Sequence, residues 1–93
     1  MSQENLSKEE QSFMYLVGTF QSSALIAMGK MKNPMTDKVE QNLDQASFYI
    51  GLLNMMQTKT KGNLSEYEEQ MLINTVSELK MNLIEESNQK KGN

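Results

Sequence analysis

The sequence has no cysteine, histidine, arginine or tryptophan and a single proline, Pro34. Without cysteine there is no disulfide framework and no thiolate chemistry. Without histidine the commonest general acid/base and the commonest metal ligand are both missing, and every Ser-His or Cys-His nucleophile goes with them. Arginine and tryptophan are the side chains most enriched in interface hot spots, and arginine also serves phosphate recognition. Any interface must therefore rest on Phe, Tyr, Met and aliphatic residues. No apolar run reaches the ~20 residues of a membrane span, because Gln21, Ser22 and Ser23 interrupt the longest candidate, residues 13–28. The chain also lacks an EF-hand loop, a glycine-rich phosphate loop and the E-x-x-H pattern of a di-iron bundle. Glu66, Glu68 and Glu69 are the densest carboxylates, and their place in a helix first turn accounts for them without a metal. With no convergent catalytic pair in view, the expectation is a protein that is not an enzyme and holds no cofactor.

What remains is a chain of 93 residues, enough for one domain with a core of its own. Nine lysines against twelve carboxylates give a net charge of -3, which argues against nonspecific attraction to nucleic acid or anionic lipid. The first ten residues are polar and acidic, with no signal-peptide pattern, so the expected location is cytoplasmic.

The run Lys59-Thr60-Lys61-Gly62-Asn63-Leu64-Ser65-Glu66-Tyr67-Glu68-Glu69 reads as one helix stopped and the next begun. Lysines suit a helix C-terminus, Gly62 can take the left-handed conformation that closes a helix, and Ser65 with Glu68 forms a capping box. Ser7 with Glu10 makes a second S-x-x-E box, which opens the first helix. Its apolar stripe is Phe13, Val17, Phe20, Ala24, Ala27 and Met31, and the helix ends near Gly29 and Asn33-Pro34, which puts Met31 on the last turn or just beyond it. Thr36 or Asp37 is the expected N-cap of the second helix, which carries Val39, Leu43, Ala46, Ile50 and Leu53. The third carries Leu72, Val76, Leu79 and Leu83. Stripes of one period predict an all-α fold, a three-helix up-down-up bundle completed by oligomerisation. The expected limits are a flexible N-terminus over residues 1–6, the bundle over 7–87 and a flexible polar tail over 88–93.

The second helix holds more apolar residues than its core stripe needs. Phe48, Leu52 and Met55, at i, i+4 and i+7, form a further seam on the far side, with Gly51 beside it to permit close helix approach. Scattered exposed apolar residues are ordinary on protein surfaces, but three large ones in register favour an interface with another chain. Nine methionines fit an adaptable interior or interface, although each taken singly is more often a gap-filler in a core. On the back of the first helix Gly18, Ser22 and Gly29 line up small residues, a pattern more often tolerated surface than docking groove. Lys30, Lys32 and Lys38 gather at one bundle end with Lys90 and Lys91, a candidate basic end for RNA or an acidic partner. Asp37, Glu40, Glu85 and Glu86 share that end, so a solvated mixed-charge surface is the stronger reading there.

Gly29 with Asn33-Pro34 and Thr36, then Leu43, Ala46, Ile50 and Leu52-Leu53, and above all Lys59-Thr60-Lys61-Gly62-Asn63-Leu64 with Glu68-Glu69, resemble the bacterial domain-of-unknown-function family 1844. The resemblance spans residues 13–85 and departs at Asp37, where an N-P-x-T-G turn would carry glycine. It implies a small cytoplasmic helical protein and supplies no activity or catalytic residue. The function expected is a noncatalytic protein-protein interaction or self-associating module, with a nucleic-acid- or ribosome-associated protein as the alternative. Lys59, Thr60, Lys61, Asn63 and Leu64 are the junction residues that helix capping explains least.

Overall fold

The computed structural model describes residues 6–92. It is an all-α, up-down-up bundle of three helices: α1 (Lys8–Ala27), α2 (Leu43–Lys59) and α3 (Glu66–Gly92), each packed against both others. The bundle is elongated, 45 × 26 × 21 Å.

Helix α1 starts where its capping box predicts: Ser7 Oγ accepts from the Glu10 N–H, and Glu10 returns a carboxylate oxygen to the Ser7 N–H. It ends in a Schellman turn. Gly29 stands at φ 82°, its N–H reaches the Ile26 carbonyl, and the Lys30 N–H reaches that of Leu25. That turn decides two open readings. Met31 lies past the helix, 42% exposed, and the fully buried Met28 takes the last core place instead. Gly29 has left the helix, so Gly18 and Ser22 are not continued by it into a groove.

The second helix also begins later than expected. Neither Thr36 nor Asp37 caps it; Asn42 does, its side chain accepting from the Gln45 N–H. Thr36 and Asp37 instead belong to a tight turn in which both their N–H groups donate to the Asn33 carbonyl and a β-bridge pairs Asn33 with Lys38. Asp37 adopts φ 57°, in the left-handed region that glycine enters without strain. Val39, outside any helix, is 59% exposed and no part of the core. Two bonds pin the end of this connection to α1: the Asn42 N–H donates to the Ala27 carbonyl at 2.7 Å and Gln41 Nε2 to that of Met28 at 3.0 Å.

Helix α2 closes with Thr60, whose N–H and hydroxyl both donate to the Met56 carbonyl. Gly62 follows at φ 87°, the third residue of a turn closed by the Asn63 N–H on the Thr60 carbonyl. Ser65 and Glu68 then exchange the two bonds of the second capping box. Helix α3 runs on to Gly92, beyond residue 87 where the bundle was expected to end. Residues 1–5 and Asn93 of the two expected flexible termini lie outside the described residues, and Leu6 is buried.

The core is one cluster in which Val17, Ala24 and Met28 of the α1 side meet Ala46, Ile50 and Leu53 of α2 and Leu72, Val76 and Leu79 of α3. Phe13, Phe20, Leu64 and Leu83 flank it. Among the described residues no buried side-chain nitrogen or oxygen lacks a hydrogen-bond partner. No helix among them is long and apolar enough to cross a membrane.

Candidate functional site

At the end of the bundle where α1 begins and α2 hands over to α3, the two capping boxes are joined. Ser65 Oγ, which accepts from the Glu68 N–H, donates its proton to Glu10 Oε2 at 2.6 Å, while Glu10 Oε1 accepts from the Ser7 N–H at 3.0 Å. One carboxylate thus ties the first turn of α1 to the first turn of α3, 55 residues on. The Ser65 hydroxyl first, and the Ser7 backbone N–H next, hold the Glu10 carboxyl below its ordinary pKa, because both bonds favour the ionised form.

Beside this link lies an open groove of about 790 Å3. Phe13, Leu16 and Leu64 supply its apolar lining, joined by Glu9 and Glu10 and by Glu68, which is itself buried and accepts from the Ser65 N–H. The candidate junction residues distribute themselves around it. Asn63 and Leu64 line the groove, and Lys61 and Leu64 line a smaller cleft of about 320 Å3 between α2 and α3. Leu64 packs against the core, Thr60 and Gly62 serve helix closure, and the Lys59 side chain is exposed.

The candidate interface residues occupy the outward face of α2. Phe48 is 61% exposed and Met55 44%, with Leu52 half-buried between them. The Phe48 ring stands edge-on to Tyr49 at 5.9 Å, and Tyr49 in turn leans on Phe20 at 6.4 Å, so an aromatic chain links the outer face to α1. Gly51 is exposed, and a Cβ built on it would meet nothing within 4 Å. No packing inside the chain demands a glycine there.

The candidate basic end is largely neutralised. Lys30 pairs with Glu86 at 3.3 Å and Lys32 with Asp37 at 3.8 Å. Among the described residues no carboxylate lies within ion-pair distance of Lys38. What sequence reasoning missed at this end is apolar: the turn over residues 33–38 holds Met35 92% exposed at its tip, with Met31 and Val39 exposed on its flanks. In the sequence Met31 closes one helical stripe and Val39 opens the next, whereas the left-handed Asp37 and the Asn33 bridge place both, with Met35, on or beside a loop.

Comparison with curated proteins and with solved structures finds no match. A family model does match, over residues 10–85, and it takes in the turn, the outer face of α2 and the junction alike. The chain belongs to the DUF1844 family, a domain of unknown function.

Proposed function

We propose that this protein is a noncatalytic interaction module that self-associates through the outer face of α2. The observation that carries the proposal is that Phe48 and Met55 stand exposed in register with Leu52, on a helix whose opposite side already fills the core with Ala46, Ile50 and Leu53. Gly51 adds to it. A glycine inside a helix costs about 1 kcal/mol relative to alanine, and a Cβ added to this one would meet no other part of the described chain. Close approach of a second α2 helix is a use for it, and a face meeting its own copy about a two-fold axis needs no other partner chemistry.

Light scattering tests the proposal. The wild-type chain is expected to exceed 10.6 kDa at about 50 μM, and Phe48→Glu to reduce it to one chain while leaving the helical spectrum intact. A wild-type monomer in that range removes the claim. Gly51→Ala separates fold from contact: it is expected to stabilise the monomer by about 0.5–1 kcal/mol yet weaken association. The nucleic-acid reading draws less support, since Lys30 and Lys32 are paired; salt-sensitive RNA retention lost in Lys30→Ala with Lys32→Ala is the result that would restore it. A cytoplasmic setting belongs to the same proposal, and recovery of the chain with the membrane fraction would reject that part.

A further inference from the structure

We infer that the chain carries a second, head-to-tail interface, in which the Met35 turn of one copy seats in the acidic apolar groove of another. The inference does not depend on the α2 face. Met35 projects 92% exposed from a turn held rigid by the Asn33–Lys38 bridge, by the Asp37 and Thr36 N–H groups on the Asn33 carbonyl, and by the Met35 N–H on Asn33 Oδ1. A side chain so presented has already lost much of the backbone freedom that binding would otherwise remove. Met31, Pro34 and Val39 surround it with further exposed apolar surface, and Lys32 and Lys38 bracket the tip.

The complement of this peg lies on the same chain. The groove at the other end has the apolar lining of Phe13, Leu16 and Leu64 that a methionine tip fits, and Glu9 and Glu10 beside it present carboxylates to incoming lysines. Lys8 at the groove, and Asp37 and Glu40 at the turn, offset part of this contrast, but Lys38 keeps its charge free of any described carboxylate. The turn follows the end of α1 and the groove surrounds its beginning, in a bundle 45 Å long, so a chain cannot fill its own groove. The occupant is a second copy. Because the two surfaces differ, each added copy exposes a fresh turn and a fresh groove, and the assembly runs on as a filament or closes as a ring.

The test is run in a Phe48→Glu background, which removes the α2 contact, by light scattering from about 50 μM, where that background is one chain, to about 1 mM, the range suited to an interface below the ~1,200 Å2 of stable complexes. That background is expected to grow beyond one chain with concentration and to shrink as salt screens the lysines. Met35→Glu and Leu16→Lys, both at exposed positions, should each remain at 10.6 kDa alone. An equimolar mixture of those two should give twice that mass and no more, since one supplies an intact groove, the other an intact turn, and neither product end can extend. A background chain that is monomeric throughout overturns the inference, as does growth indifferent to both substitutions. Sedimentation of a monomeric chain with phosphatidylserine vesicles, lost in Met35→Glu, overturns it in favour of a membrane partner. Failure of the α2 proposal shows separately, as a wild-type mass that Phe48→Glu leaves unchanged while Met35→Glu still lowers it.

Discussion

Two residues decide local geometry here, and each gives a measurable consequence. Asp37 sits at φ 57°, where a side chain is crowded and glycine is not, although aspartate tolerates the region better than most. Asp37→Gly is expected to stabilise the fold by about 0.5 kcal/mol, the relief of that strain less the extra unfolded-state entropy of glycine. The Lys32 ion pair lost with it is exposed and contributes little. The shift should appear in the midpoint of urea unfolding; an unchanged or lower midpoint means the conformation is not strained. Glu10 gives a pH effect of definite sign. Its carboxyl is held below its ordinary pKa in the fold, so its contribution is complete at neutral pH and is lost as pH falls below the ordinary carboxylate value and through the lower folded-state one. Glu10→Gln should lower stability at pH 7 and narrow the gap to wild type at pH 3. A gap that does not change with pH would mean that the link to Ser65 acts through shape alone.

At the scale of elements, the outcome followed how local each signal is. Both S-x-x-E boxes are contained within four residues of chain, and both form as their sequences predict, at Ser7 and at Ser65. The core of α3 was equally readable, since Leu72, Val76 and Leu79 recur without interruption and all are buried. The start of α2 was not. Thr36 and Asp37 have the chemistry of N-caps, and Val39 continues the four-three rhythm toward Leu43, but the chain uses them in a turn whose bridge from Asn33 to Lys38 no periodicity encodes. Asn42 was the better cap because it stands directly before an unbroken helical run and its backbone N–H reaches α1. Asn42→Ala should therefore cost about 1 kcal/mol and Thr36→Ala less than about 0.5 kcal/mol in chemical denaturation. The reverse order would return the helix start to residues 36–37. The groove was still less legible, because its walls come from the start of α1 and from the junction, and the Glu10–Ser65 bond that joins them spans 55 residues.

At the scale of the whole molecule, stability and association use different faces of the same helix, so they can be altered one at a time. Leu53 is fully buried between all three helices' core residues, whereas Phe48 on the outer side is 61% exposed. Leu53→Ala leaves a cavity and should cost about 2–5 kcal/mol, lowering the melting temperature by a similar amount at every protein concentration. Phe48→Glu removes little that the monomer buries. If a second copy covers this face, wild-type melting temperature rises with protein concentration, because association stabilises only the folded chain. Phe48→Glu should then abolish that rise while matching the wild type in the dilute limit, and calorimetry over about a hundredfold range of concentration is enough to see the two curves converge. A melting temperature equally dependent on concentration in both chains would move the association to other surfaces, and the Met35 turn with its groove is the pair to substitute next. A Phe48→Glu chain that melts well below the wild type even when dilute would instead show that the ring's edge-on contact with Tyr49, and through it with Phe20, belongs to the fold rather than to an interface.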